Sequence, residues 1–375
     1  MVRIFHTADI HLGLKFTRGY PDEVRQQLID ARLAVVSRMV QMANTAKCDL
    51  LVVAGDLFDG IRPTKTLVRQ AALAFSSFEG LVVVLPGNHD YVQPPSEDLI
   101  WPIFAEAIGE RHLVLREPEV YDLTKFDMPV LLYSSPCNTR HSSTNAIGWV
   151  KAAVQADSRQ LLRVGVAHGS MAGLSPDFDG NYYPMTRPEL DQSGIDVWLL
   201  GHTHLRYPNT GSGTNERVFY PSVPEPDGFD CHHPGYAWII EVSQGSPISF
   251  QSVRTGVHQF HDLQIEIGKE NDLISLRERF AAFDSRADLV KLGLSGRLES
   301  SLFEQLPQLV SDLQKSVLYL EPDTSAVVRF IQQEDLDQEF TQESFPHQLL
   351  SALARDPNDS AALQLAYELV KESQT

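Results

Sequence analysis

Short, unbroken apolar runs recur along the first 255 residues, each of strand length and most of them stopped by glycine, proline or a polar cluster. The segments at 2–6, 50–54, 81–85, 131–134, 163–167 and 197–200 predict strands, and helical spacing over 28–46 and through to about Phe78 predicts helices between the first three. Runs that are apolar at every position belong to strands covered on both faces, the pattern of a layered βα sheet. From Val218 onward strands follow one another without helices, at 219–220, 236–242 and 248–253. A second sheet closing against the first accounts for them. The expected fold is α/β: a two-sheet β-sandwich flanked by helices, spanning 1–257.

After about Val257 the pattern changes. Strand-like segments at 264–267, 289–294 and 317–320 alternate with helical ones at 271–283 and 299–313, a β-α-β-α-β order that predicts a small α+β domain over 258–322. The remaining segment, 323–375, is a helical tail. From Glu334 it carries nine acidic side chains against Arg355 and Lys371. Its helices, near 346–354 and 360–371, place Leu349, Leu350 and Leu353 opposite Leu363, Tyr367 and Val370. Such a pair is either a hairpin packed on its own domain or a docking element for a partner helix.

Composition narrows the class. The chain has 375 residues, 43% of them hydrophobic and 21% charged, enough for more than one packed domain. No apolar run approaches the roughly 18 residues of a membrane span, so no membrane association is expected. The three cysteines, Cys48, Cys137 and Cys231, form no CxxC pair, which fits free thiols in a reducing compartment. The N-terminus lacks signal-peptide anatomy, and a cytoplasmic location is expected. A net charge of −18 with a pI near 5.1 excludes a chain that grips nucleic acid through a broad basic surface of its own.

Candidate chemistry is concentrated in five polar islands, nearly all directly after a predicted strand: Asp9-Ile10-His11, Gly55-Asp56-Leu57-Phe58-Asp59, Gly87-Asn88-His89-Asp90, Ala167-His168-Gly169 and Gly201-His202-Thr203-His204. Singly, each is common, and an isolated histidine near a strand end is usually structural. As an ordered set placed after strands they converge on one sheet edge, where open α/β folds bind ligands. Hard oxygens mixed with imidazoles, without a thiolate, suit two divalent metals. Such a pair clamps the attacking and leaving oxygens and activates water, so no protein nucleophile is required. Asp56 is the candidate bridge. Asp9, His11 and His204 complete one site, and Asn88, His168 and His202 the other. His89 is placed to protonate the leaving oxygen or stabilise developing charge. Asp59 either orients the His89 ring or caps the Asp59-Gly60 turn. Asp90 reads as a supporting or turn residue, and Arg18 and Arg62 as phosphate contacts or solvated side chains.

The series D-x-H, G-D-x-x-D, G-N-H-D, H and G-H-x-H resembles the calcineurin-like metallophosphoesterases. The forms His6-Thr7-Ala8-Asp9-Ile10-His11-Leu12-Gly13, Gly55-Asp56-Leu57-Phe58-Asp59 and Pro86-Gly87-Asn88-His89-Asp90 look like the SbcD-type nuclease subunit of bacterial DNA double-strand-break repair complexes. The resemblance covers about 1–255 and extends into the small domain, which with Leu294-Ser295-Gly296 is similar to that family's capping domain. It implies two manganese ions (Mn²⁺), phosphodiester cleavage on DNA, a homodimer and a partner ATPase with coiled-coil arms of the SbcC type. The tail helices would grip those arms, and the partner would offset the acidic charge. Two departures stand out. Asp59 occupies a position where the archaeal and eukaryotic branch carries His, and Tyr220-Pro221-Ser222-Val223-Pro224 replaces a Tyr-Pro-Gly-Ser-like turn. The same metal site would also serve a small-substrate phosphoesterase, such as a nucleotidase or cyclic-nucleotide phosphodiesterase. The pattern of phosphoprotein phosphatases fits less well, since Gly60 follows Asp59 and Asp90 follows His89. A non-catalytic scaffold would usually have lost some of the seven ligands.

Overall fold

Every residue of the run Leu50–Ala54 is buried, as is every residue of Leu81–Leu85. Both are inner strands packed on two faces, which is why they read as continuous apolar segments. The computed structural model describes residues 1–177, 179–355 and 360–373, and the chain forms two compact units, Met1–His258 and Gln259–Thr375.

The first unit runs β1 (Val2–Thr7), α1 (Asp22–Thr45), β2 (Leu50–Ala54), α2 (Lys65–Phe75), β3 (Leu81–Leu85), α3 (Trp101–Ile108), β4 (His112–Val114) and β5 (Val120–Asp122). It continues with β6 (Val130–Ser135), α4 (Val150–Ala156), β7 (Leu162–His168), α5 (Arg187–Gln192), β8 (Val197–Gly201), β9 (Arg206–Tyr207), β10 (Ser212–Thr214), β11 (Val218–Pro221), β12 (Tyr236–Val242) and β13 (Ser249–Arg254). One sheet has the order β10-β13-β12-β1-β2-β3-β4 and the other β5-β6-β7-β8-β11-β9. Strands β1 to β4 are parallel, as are β6, β7, β8 and β11.

Strand alternation sorts the side chains into layers. Ile4, Leu50, Val52 and Val83 meet Leu132, Val164, Val166 and Leu199 between the sheets. Their chain neighbours Phe5, Leu51, Val53 and Val82 pack under α1–α3 against Val35, Met39, Phe75 and Phe104. On the far face, Leu131, Tyr133, Trp198 and Leu200 pack with Val150 and Leu190 of α4 and α5. The expected two-sheet sandwich with outer helices is the fold. Because β1, β2, β3, β7 and β8 run the same way within their sheets, the five polar islands leave their carboxyl ends on one edge. The short strands β4, β5, β9 and β10 and helices α3, α4 and α5 were not read from the pattern, since two- and three-residue edge strands carry no alternation and helices of six to eight residues show about two turns of period.

The second unit contains β14 (Gln259–Ile267), α6 (Glu270–Ala281), β15 (Asp288–Glu299), α7 (Ser300–Gln314) and β16 (Tyr319–Phe330) as a parallel three-stranded sheet with helical crossovers. Ile267, Phe280, Leu292 and Leu309 lie in its core. Strand β16 runs through the 322/323 boundary drawn from the sequence, because it stays paired with β15 as far as Glu299. The tail adds α8 (Gln333–Glu339), α9 (Phe345–Ala354) and α10 (Ser360–Glu372), which bury Leu336, Leu350, Leu363 and Tyr367 together. Leu349, expected on that face, is 37% exposed.

An ion-pair cluster ties these helices to β16. Glu339 meets Arg329 Nη1 at 2.6 Å and Lys371 Nζ at 2.8 Å, and accepts a hydrogen bond from Tyr367 Oη. Burial opposes the Glu339 charge, but Lys371, Tyr367 and Arg329 outweigh it and bring its pKa from the ordinary 4.5 to about 2. A depressed carboxylate contributes stability that is complete above its unfolded value and is lost as pH falls through its folded one. Thermal unfolding of the full chain should therefore lose tail-helix stability between pH 4.5 and about 2. Glu339→Gln should remove most of that dependence.

Candidate metal centre

The loops that leave the five strands are bonded to one another. Asp9 N donates to Gly55 O (3.1 Å), His11 N to Asp56 O (3.0 Å) and Leu12 N to Leu57 O (2.9 Å), so the first two loops run side by side. Carboxylates make the remaining links. Asp9 accepts from His202 N at 3.0 and 3.1 Å, and Asp56 Oδ1 from His89 N at 2.8 Å. Asp90 accepts from Gly87 N (2.7 Å) and Phe58 N (3.0 Å), joining the second loop to the third.

Close approach is bought with unusual backbone. Asp9, His11 and Asp56 have φ of 55°, 50° and 53°, and His202 has 100°, the left-handed region that side chains other than glycine enter at a cost. Gly55 (φ +97°) could carry no side chain, because a Cβ there would overlap the His168 ring. At Gly87 a Cβ would overlap the Asp56 carboxylate and amide.

These loops bring together the residues expected from the sequence. His11 Nε2 lies 3.7 Å and His168 Nε2 3.4 Å from Asp56 Oδ2. His11 Nε2 is 3.3 Å from His204 Nε2. Asn88 Oδ1 faces His168 Nε2 at 2.9 Å and His202 Nδ1 at 3.1 Å. Three overlapping sets, Asp9–His11–His204, His11–Asp56–His89 and Asp9–Asp56–His168, each gather their ligand atoms within 4.8 Å. Six of the seven candidate ligands are buried or partly buried, and His204 is the exposed one.

Asp59 meets the His89 ring through its backbone. The Nδ1 of His89 bonds to the Asp59 carbonyl oxygen at 3.1 Å. The Asp59 carboxylate lies 3.7 Å from that nitrogen and 3.5 Å from His11 Nδ1, between the two rings. It is thus the backbone of Asp59 that fixes the His89 tautomer, with Nδ1 protonated and Nε2 left as the other nitrogen.

Electrostatics follow from this crowding. Burial opposes the Asp56 charge, yet His168 first, then His11 and His89, hold its carboxyl well below the usual range. Burial also works against a charged His168, but Asp56, Asp9 and the Ala54 carbonyl raise its pKa to about 9. A doubly protonated ring satisfies both of its acceptors, with Nδ1 donating to Ala54 O (2.9 Å) and Nε2 facing Asn88 Oδ1. Burial and the neighbouring His168 push His202 down to about 3. Burial, with His11 adding to it, lowers His89, and burial raises Asp9.

The donor set fits divalent cations: two carboxylates, an amide oxygen and imidazoles, with no thiolate among them. Cys137, behind His168, is pushed well up by burial and stays a thiol that bonds to His168 O. Cations there would offset carboxylates whose burial is otherwise costly. Two clefts flank the cluster. One, of about 710 Å³, is lined by Tyr182, Leu205, Arg206, His233 and Tyr236. The other, of about 630 Å³, lies on the Asp59 side with Lys15, Phe16, Arg18 and Phe229. Asp227 borders both. Neither Asp227 nor the buried Arg32 was singled out in the sequence. Nearly two hundred residues separate them and no local spacing joins them.

Two measurements follow from this geometry. Ligation requires a neutral imidazole, so Mn²⁺ added to metal-stripped protein should displace the His168 proton. Calorimetry in buffers of different ionisation enthalpy should read that release at pH 7, and apparent affinity should climb with pH up to about 9 and level off above it. Gly87→Ala should lower Mn²⁺ affinity by at least about tenfold, roughly 1.4 kcal/mol. Gly60→Ala, where a Cβ meets nothing within 4 Å, should leave it unchanged.

Comparison with known proteins agrees with this site. Residues 2–206 match the family model of the calcineurin-like phosphoesterases. The chain is 25% identical over 284 residues to the uncharacterized metallophosphoesterase YhaO of Bacillus subtilis, covering 72% of this chain and 64% of that one. It is 25% identical over 273 residues to the DNA double-strand break repair protein Mre11 of Methanopyrus kandleri, covering 67% and 56%. Over 99 residues it is 32% identical to the SbcD component of the nuclease SbcCD of Escherichia coli, covering 26% and 23%. The chain thus spans less than two thirds of the length of these relatives. With more than half of its residues matched to the family model and the motif residues of all five loops gathered in one cluster, the chain belongs to the calcineurin-like phosphoesterases.

Proposed function

We propose that this metal-dependent phosphoesterase is a DNA nuclease that uses two Mn²⁺ ions. The observation that carries the reading is the convergence of all five loops around Asp56, whose Oδ2 faces one histidine of each expected site, His11 and His168. In this reading Asp56 would serve both sites, Asp9, His11 and His204 would hold one ion, and Asn88, His168 and His202 would hold the other. Bound there, two divalent ions would supply Lewis acidity toward the phosphoryl group and its attacking water. The choice of DNA is supported by likeness to Mre11 and to the SbcD component of the nuclease SbcCD.

His89 is the proton donor in this scheme. The Asp59 carbonyl holds Nδ1 and leaves Nε2 for the leaving oxygen. Burial favours the neutral ring, and an anionic phosphoryl group beside it restores the proton by opposing that shift. The proposal extends to a homodimer and an SbcC-type ATPase partner. Helices α9 and α10, which expose Phe345, Leu365 and Leu369, are the surface proposed for its coiled-coil arms. Such a partner would also supply the basic surface that a chain of net charge −18 lacks. That same charge favours a second reading, a phosphoesterase of small substrates that has no long polyanion to hold.

Turnover of linear double-stranded DNA and of a chromogenic phosphodiester, with Mn²⁺ and with or without a coiled-coil ATPase and ATP, separates the two. The nuclease reading expects DNA cleavage, at least once the partner is present. Cleavage of the small ester alone under every condition would overturn it. Asp56→Asn should abolish both activities. His89→Ala should lower turnover by about 10²- to 10⁴-fold with metal binding retained.

A further inference from the structure

Arg32, on α1, is 1% exposed, so its guanidinium has been taken out of water. Its Nη1 donates to the Ile10 carbonyl at 2.6 Å and its Nη2 to the Glu225 carbonyl at 3.0 Å. Both acceptors are neutral, and a buried cation requires a countercharge. Asp227 supplies it, with Oδ2 3.8 Å from Arg32 Nη2. The same oxygen lies 3.8 Å from His204 Nδ1.

His204 is the candidate ligand with the least packing around it: its side chain is 44% exposed. Bonds to the Ala54 and Asp59 carbonyl oxygens orient the rings of His168 and His89, and His202 Nδ1 faces Asn88 Oδ1. The His204 ring instead has His11 Nε2 at 3.3 Å from its Nε2 and Asp227 on its Nδ1 side. Nε2 is therefore the nitrogen turned toward the cluster it shares with Asp9 and His11.

We infer that Asp227 is a positioning residue of the metal centre: anchored by buried Arg32, its carboxylate keeps the His204 proton on Nδ1 and presents Nε2 to the cation. The inference rests on the metal-centre reading above. A purely structural role for Asp227, holding the 222–234 loop, is less well supported, because that loop is tied down elsewhere. The Glu225 carboxylate accepts from Val257 N (3.0 Å) and His258 N (2.9 Å), and Thr255 Oγ1 donates to Pro224 O (2.6 Å). Arg32 also bonds to the carbonyl of Ile10, the residue between Asp9 and His11. One buried cation thereby sets the first ligand loop and the carboxylate behind His204 relative to each other. Carboxylates that orient metal-binding histidines typically contribute one to two orders of magnitude in metal affinity.

The test is a double-mutant cycle on metal binding. Metal-stripped full-length chain is titrated with Mn²⁺ by calorimetry as wild type, Asp227→Asn, His204→Asn and the double variant. We expect two ions in the wild type, roughly a 10- to 100-fold loss at one of them in Asp227→Asn, and no further loss when Asp227→Asn is added to His204→Asn. Unchanged affinity in Asp227→Asn overturns the inference, and so does an equal loss in the His204→Asn background, which marks a role independent of that ring. Fewer than two ions in the wild type overturns the metal-centre reading itself, and the inference with it. Should Asp227→Asn not fold, Asp227→Glu keeps the countercharge of Arg32 on a longer arm. Coupling to His204 in that cycle supports the inference, and its absence overturns it.

Discussion

At the centre of the first unit, the carboxylate of one loop binds the backbone amide of another. Asp9 takes the amide of His202, Asp56 that of His89, and Asp90 those of Gly87 and Phe58. Removing a carboxylate would leave these amides, all at least partly buried, without their partner, which is costly. Strands from two different sheets end at this edge, and side-chain contacts across it, such as the His168 ring on the Ala54 carbonyl, join them. The sandwich brings the loops near one another, and the carboxylates decide how near.

The same packing sets the charges. The surrounding imidazoles favour the ionised Asp56, and Asp56, with Asp9 and the Ala54 carbonyl, favours the protonated His168. Neither state belongs to either residue alone. Burial would neutralise both groups if they were separated. Such a cluster responds to a cation as a unit, since replacing the proton on His168 removes one of the charges that stabilise Asp56. The overall acidity of the chain is a separate matter: it acts at long range on partners, while within the cluster the nearest charges dominate.

Much of this was legible in the sequence. The layered sheets could be read because buried parallel strands are apolar at every position, as at Leu50–Ala54 and Leu81–Leu85. The candidate ligands could be read because each sits within a few residues of a strand end, where chain direction limits where it can go. What spacing could not show was the choice between atoms of one residue. Asp59 falls beside His89 as its position suggests, but whether carbonyl or carboxylate meets the ring depends on turn geometry. Contacts between distant segments were equally hidden: Arg32 and Asp227 are an ordinary helix arginine and an ordinary loop aspartate until folding pairs them. Strand lengths in the second unit were underestimated because the outer halves of β15 and β16 alternate in burial and lack an apolar run.

The left-handed backbone at Asp9, His11 and Asp56 has an evolutionary corollary. For an L-residue that conformation costs roughly 1–2 kcal/mol, less for aspartate, whose short polar side chain tolerates it better. Glycine would occupy these positions with little strain. On backbone strain alone, drift at His11 points toward glycine, whereas Asp9 and Asp56 are also held by the amides of His202 and His89 that their carboxylates bind. Retaining the imidazole at His11 works against that preference, and a lineage freed from the chemistry would relieve the strain by abandoning the ring.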